Sequence, residues 1–257
     1  MNVQSGKRII HQLVGCMAIA LLGIPQVNAS TYNANQEFVD SEAGLGLSTF
    51  GNFSLGYALP GSPDSFKIFG APDEGVHTDS WAGNPNLEGW FVDNNVIVPA
   101  IVVNTSTSNA TTFFGVTVAP SQILMHGGGV GDNGYVQPFY DAVLRFTVPT
   151  SGKYEIKGIW TQLHSGITSQ IVRINNTILQ SNNGGTNTFN YTPILNAGDH
   201  IDFVVNDLDG IGSDSTGLTA SIAAVPEPST LALLGFGGIS IAFGAYRKRR
   251  KNAQLAV

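Results

Sequence analysis

Apolar and polar positions alternate in short stretches through the second half of the chain. AVLRFTVP (142–149) sets Leu144, Phe146 and Val148 against Arg145 and Thr147. KYEIKGIW (153–160) sets Tyr154, Ile156 and Trp160 against Lys153, Glu155 and Lys157. A period of two puts successive side chains on opposite faces of an extended chain, so each run predicts a strand with one face buried. Pro149-Thr150-Ser151-Gly152 between them is a tight-turn sequence, and the simplest arrangement is an antiparallel hairpin. TTFFGVTVA (111–119), SQIVRIN (169–175), TNTFNYTPI (186–194), HIDFVVND (200–207) and GLTASIAA (217–224) also have strand length and turn-rich flanks. Asn182-Asn183-Gly184-Gly185 and Asn196-Ala197-Gly198-Asp199 read as turns. Helix-period stretches are missing between Ala29 and Val225, where the chain is rich in Gly, Asn, Thr and Ser.

This spacing of short strands predicts an all-β fold, an antiparallel β-sandwich of jelly-roll type. Residues 31–110 carry weaker signals and more aromatic, Pro and Gly punctuation, and are expected to add strands and long loops to the same sandwich. No repeat of 20 to 50 residues occurs, which argues against solenoids and propellers.

Both ends read differently. Lys7 and Arg8 precede an apolar stretch, Leu13 to Ile24, and then Val27-Asn28-Ala29, a small-x-small pattern suited to signal peptidase. Residues 1–29 are therefore expected to form a signal helix cleaved after Ala29. An amphipathic first helix fits poorly, because no charges would solvate its other face. Leu13-Val14-Gly15-Cys16 resembles a lipobox, but a cut there would strand most of the apolar run, so we read it as a chance match. At the other end, Ser229 to Tyr246 is eighteen residues without a charge. As a helix it would span roughly 27 Å, enough for the hydrocarbon core of a membrane. Five basic residues, Arg247 to Lys251, follow and would stay cytoplasmic. A single transmembrane helix over about 230–246 is expected.

Val-Pro-Glu-Pro-Ser-Thr (225–230), the Gly-containing apolar span and the basic cluster together resemble the PEP-CTERM sorting signal. The resemblance implies export in a Gram-negative bacterium that makes extracellular polysaccharide. It also implies recognition of Pro226, Glu227 and Pro228 by a membrane-embedded exosortase, which cleaves nearby. The middle of the chain resembles the β-sandwich domain often found ahead of such tails. The matching steps are Met125-His126-Gly127-Gly128, Leu144 to Pro149, Asn196 to Asp199 and Asp214 to Leu218; where that family often has proline after the histidine, this chain has Gly127. The expected organisation is a signal peptide (1–29), a sandwich (30–224), a sorting tail (225–251) and a short end (252–257).

Removing the ends changes the charge. Between Ser30 and Val225 five Lys and Arg face seventeen Asp and Glu, a formal −12 against −6 for the whole chain. Such a surface repels phosphate backbones, and no basic stripe for nucleic acid is present. It would attract cations. The one cysteine, Cys16, lies in the signal segment, so the exported domain has no disulfide.

Candidate chemistry is sparse. Asn206-Asp207-Leu208-Asp209-Gly210 and Asp214 gather carboxylates around a turn, and Asp207, Asp209 and Asp214 are candidate Ca²⁺ ligands. The stretch lacks the closing Glu of an EF-hand, and a solvated turn explains the same residues. Trp81 and Trp90 sit among Asn, Asp and Gly in loop-like sequence, as the aromatic faces that hold sugars do; rings plugging the end of the sandwich are the plainer reading. His126-Gly127-Gly128-Gly129 lacks the Lys-Ser/Thr of a phosphate loop, and His77, His164 and His200 are scattered. Gly-x-Ser-x-Gly is absent. The expectation is a non-enzymatic surface or matrix protein, structural, adhesive or weakly glycan-binding. The alternative is a polysaccharide-modifying enzyme or an accessory carbohydrate-binding module. Expected partners are signal peptidase, exosortase, the membrane in transit and extracellular polysaccharide.

Overall fold

Most of the alternating runs are strands. The structure, a computed structural model, describes residues 30–41, 47–70, 76–93, 96–120, 122–128, 140–208 and 214–226. The expected signal helix and the transmembrane segment lie outside them. Among the described residues, no helix is long and apolar enough to cross a membrane.

In chain order the first strands are β1 (Thr31–Asn33), β2 (Thr49–Phe50), β3 (Phe53–Ala58), β4 (Lys67–Ile68), β5 (Val76–Thr78), β6 (Leu87–Asp93) and β7 (Val96–Asn104). Then come β8 (Ala110–Thr111), β9 (Thr117–Val118), β10 (Ile123–His126), β11 (Asp141–Thr147), β12 (Gly152–Gln162) and β13 (Thr168–Ile174). The last are β14 (Thr177–Asn183), β15 (Asn187–Tyr191), β16 (Ile194–Leu195), β17 (His200–Asp207) and β18 (Thr216–Val225). One α-helix, α1 (Ala34–Ser41), is present among the described residues.

Two antiparallel sheets face each other. One runs β15-β12-β18-β10-β7-β6-β5, the other β14-β13-β17-β11-β3-β2, and β8 and β9 form a separate small ladder. From β10 onward the chain keeps switching sheets, giving the orders 10-18-12-15 and 11-17-13-14, which is jelly-roll connectivity. The earlier strands extend this jelly roll: β7, β6 and β5 continue one sheet beyond β10, and β3 and β2 continue the other beyond β11. Residues 30–225 form one compact unit, and both sheets lie within it.

The core lies between the sheets. Leu144 and Phe146 of β11 and Phe203 of β17 meet Tyr154, Ile156 and Trp160 of β12, all essentially buried. A smaller core forms on the other face of β6, β7 and β10, where Leu87, Phe91, Val102 and Leu124 are covered by Val116 and Val118 of the β8–β9 hairpin.

Three expectations are corrected. β11 and β12 do not pair with each other: β11 bonds to β17 and β3, β12 to β18 and β15. The 149–152 turn carries the chain from one sheet to the other, and both strands point their alternate residues into the same core. TTFFGVTVA is not one strand. Gly115, at φ +84, and the bonds Thr112 N–H to Val116 O (2.8 Å) and Val116 N–H to Thr112 Oγ1 (3.1 Å) fold it into a hairpin tip. Finally, α1 exists. Asn33 Oδ1 caps it by accepting from the Gln36 N–H at 3.2 Å. Its Ala34 and Phe38, four residues apart on one face, are both buried, with Phe38 set edge-on to Phe50 and Trp90.

Candidate functional site

One end of the longer sheet, among the described residues, is β5, which pairs with β6 through Val76–Phe91, His77–Trp90 and Thr78–Gly89. Beyond β5 the chain turns back sharply at Trp81-Ala82-Gly83-Asn84. Ala82 and Gly83 both have left-handed backbone (φ +49 and +75), as a two-residue hairpin turn requires. The turn closes with Asn84 N–H on Trp81 O at 3.1 Å. A non-glycine residue held in that region stores strain. The β8–β9 tip docks on the turn through Phe113 N–H to Ala82 O (3.2 Å) and Asn84 Nδ2 to Thr111 O (2.9 Å).

These segments enclose a cleft of about 340 Å³ lined by Val76, His77, Thr78, Ser80, Trp81, Ala82, Phe91, Phe113 and Phe114. Phe113 and Phe114 stand on its rim, 72% and 49% exposed, their ring centres 3.9 Å apart. Trp81 is only 5% exposed and packs against Gly89, where an added Cβ would come within 2.7 Å of Trp81 Cδ1. It forms part of the cleft wall, backed by the smaller core.

Trp90 does not belong to this surface. It is fully buried in the main core against Phe38 and the His77 ring. A ring with no exposed face cannot stack on a sugar, so the expectation that Trp90 contacts glycan is corrected. Sequence reading missed Phe113 and Phe114 by placing them inside a strand. The signal was the Gly115 immediately after them, a turn residue following two large apolar side chains.

His77 also differs from the scattered, structural histidine expected. Its Nε2 lies 2.8 Å from Glu88 Oε1 and 3.5 Å from Asp79 Oδ1. The ligand atoms of all three residues fall within 4.8 Å of one another, and no other such group of three His, Cys, Asp or Glu occurs among the described residues. Glu88 is buried and Asp79 exposed.

The expected Ca²⁺ ligands are only partly described. Asp207 ends β17, Asp214 lies two residues before β18, and both are buried; Asp209 lies outside the described residues. Asn206 Nδ2 donates to Asp141 Oδ1. Gly127 lets β10 approach this region, since a Cβ there would sit 2.5 Å from Asp207 N.

A second, larger cleft of about 580 Å³ lies on the outer face of the other sheet, lined by Pro63, Asp64, Arg145, Asn175, Asn176, Thr177 and His200. Its one cation is already engaged: Arg145 reaches Asp202 at 2.7 and 2.9 Å and Pro63 O at 3.1 Å. Burial, with Arg145 nearby, holds the His200 imidazole below its ordinary range against the pull of Asp202 and Asp199.

Of the sorting tripeptide only Pro226 is described, and it is exposed directly after β18. Residues 224–250 match the model of the PEP-CTERM protein-sorting motif. The chain carries a PEP-CTERM motif. That motif marks an exported, exosortase-processed protein of a Gram-negative bacterium. A search of curated proteins finds no match. Among solved structures, the chain is similar to the mannan binding module from Man5C, at 17% identity over 47% of this chain and 95% of that one (TM-score 0.28). It is similar to CBM51 from Clostridium perfringens GH95 in complex with methyl-galactose, at 14% identity over 45% and 79% (TM-score 0.28). It is also similar to rabbit GITRL, at 18% identity over 34% and 74% (TM-score 0.26). Overlaps this loose say nothing about a ligand. The PEP-CTERM motif reports where the protein goes, and the geometry of the cleft bears on what it does there.

Proposed function

We propose that the protein is an exported, non-enzymatic glycan-binding component of the cell surface or its polysaccharide matrix, delivered there by exosortase processing. The observation that carries the binding reading is the exposed Phe113–Phe114 pair beside the Trp81 wall and the hydroxyls of Thr78 and Ser80. Large apolar rings left in water on a hairpin tip cost solvation that a packed position would have avoided. Against a sugar they cover the C–H face while neighbouring hydroxyls bond its O–H groups. The acidic surface favours neutral over anionic polysaccharide.

A glycan array on residues 30–225 tests this. The wild type is expected to retain a neutral polysaccharide that Phe113→Ala/Phe114→Ala does not, while the melting temperatures agree. Equal retention by both proteins rejects the cleft as the site. Release of shortened sugar from the array points instead to the polysaccharide-modifying enzyme.

Ca²⁺ binding by Asp207, Asp209 and Asp214 is a second reading, resting on the oxygen-rich run of residues 206–214.

A further inference from the structure

We propose that His77, Asp79 and Glu88 form a site for a divalent transition-metal ion, best matched by Zn²⁺. This stands apart from the glycan reading, although His77 also borders the cleft.

The strand pairing builds the site. His77 on β5 is opposite Trp90 on β6, and Glu88, two residues before Trp90, therefore shares a face with it. The Trp90 ring lies 5.0 Å from the imidazole, tilted 43° to it. His77 Nε2, Glu88 Oε1 and an oxygen of Asp79 then converge at one corner of the sheet edge.

A histidine–carboxylate hydrogen bond accounts for only part of this. Nε2 carries at most one proton, and Glu88 Oε1 at 2.8 Å is placed to accept it. Asp79 Oδ1, 3.5 Å from the same nitrogen, is a second anion brought beside the first. Two carboxylates converging on one ring nitrogen repel each other unless a cation stands between them. Zn²⁺ takes nitrogen and oxygen donors at about 2.0–2.2 Å, which sets tetrahedral ligands about 3.4 Å apart. The 3.5 Å pair already has that spacing, and the 2.8 Å pair reaches it by opening slightly as the metal replaces the proton. Imidazole with two carboxylates suits a borderline ion better than Ca²⁺ or Mg²⁺, which take oxygen alone. Three protein ligands leave a position for water, and the 79% exposed Asp79 side chain offers the way in.

Calorimetric titration of metal-free 30–225 with Zn²⁺ tests the proposal. One equivalent is expected to bind and raise the melting temperature. His77→Ala and Asp79→Asn are each expected to weaken binding at least tenfold. Asp79 is exposed, so its variant folds whatever becomes of the buried positions. Co²⁺ bound in place of Zn²⁺ is expected to give a visible absorption band that His77→Ala abolishes. Phe113→Ala/Phe114→Ala should bind Zn²⁺ normally, which separates this site from the glycan reading. Absence of saturable Zn²⁺ binding by the wild type, or equal binding by both ligand variants, overturns the proposal.

Discussion

His126 ends β10 inside the protein, where its Nδ1 lies 2.7 Å from the carbonyl oxygen of Gly127. Burial holds the imidazole below its ordinary value of 6.5; the Gly127 carbonyl and Asp207 oppose the shift, and His164 adds to it. The folded state therefore takes up the proton less readily than the unfolded chain. As pH falls past about 6.5 the unfolded chain protonates first. Stability present above that pH is thus lost on the way down to the lowered folded value. The half-exposed His200 contributes in the same sense. Burial raises Asp141, so its contribution has the opposite sign: present at acid pH, it is lost as pH rises from the ordinary carboxylate value towards the raised folded one. The melting temperature is expected to drop between about pH 7.5 and 5.5, and His126→Gln to flatten that drop. Calorimetry at fixed ionic strength checks this, and an unchanged slope in the variant would count against it. In the sequence His126 stands only at the head of a glycine run, with no sign of burial. It sits at the end of β10, an interior strand of the longer sheet between β7 and β18.

At the scale of elements, the outer face of the second sheet is stitched by charge across three neighbouring strands. Arg145 on β11, Asp202 on β17 and Arg173 on β13 are in register. Asp202, with a fully buried side chain, binds Arg145 Nε at 2.7 Å and Arg173 Nε at 2.9 Å. The Phe66 ring covers the Arg145 guanidinium at 4.1 Å, and it fits there because Gly56 beneath it has no side chain. Asp202→Asn would leave two largely buried guanidinium groups without their shared counter-charge, a loss of about 3–5 kcal/mol. Urea unfolding measures it, and a loss below about 1 kcal/mol would place the network among weak surface pairs. Period-two alternation sets Arg145 on the face away from the core. It cannot show that Asp202 lies between Arg145 and Arg173, because strand neighbours are chosen by topology. The misread hairpin at 149–152 has the same origin: alternation reports which face is buried and is silent on which strand lies alongside. Phe113 and Phe114 were misplaced for a related reason, since a short apolar run looks alike in a strand and at a hairpin tip.

For the whole molecule, the PEP-CTERM motif connects destination to sequence directly. β18 delivers the chain to Pro226, which is exposed and so open to a processing enzyme. Replacing Pro226, Glu227 and Pro228 by alanine is expected to leave full-length protein in the membrane fraction, seen as an unshifted band on immunoblots. Normal release of that variant would reduce the tail to an ordinary anchor. The sequence alone determined the all-β class, most strand positions, the acidity of the 30–225 unit and the sorting motif, because each is written in local pattern, composition or contiguous residues. Only the tertiary structure decided the rest. It put Trp90 in the core and left Phe113 and Phe114 in solvent. It also brought Asp79 and Glu88, nine positions apart, onto one histidine nitrogen. The physical reason is common to all three: burial and convergence of side chains depend on which strands become neighbours. That choice is made by the packing of two whole sheets, and no single stretch of sequence contains it.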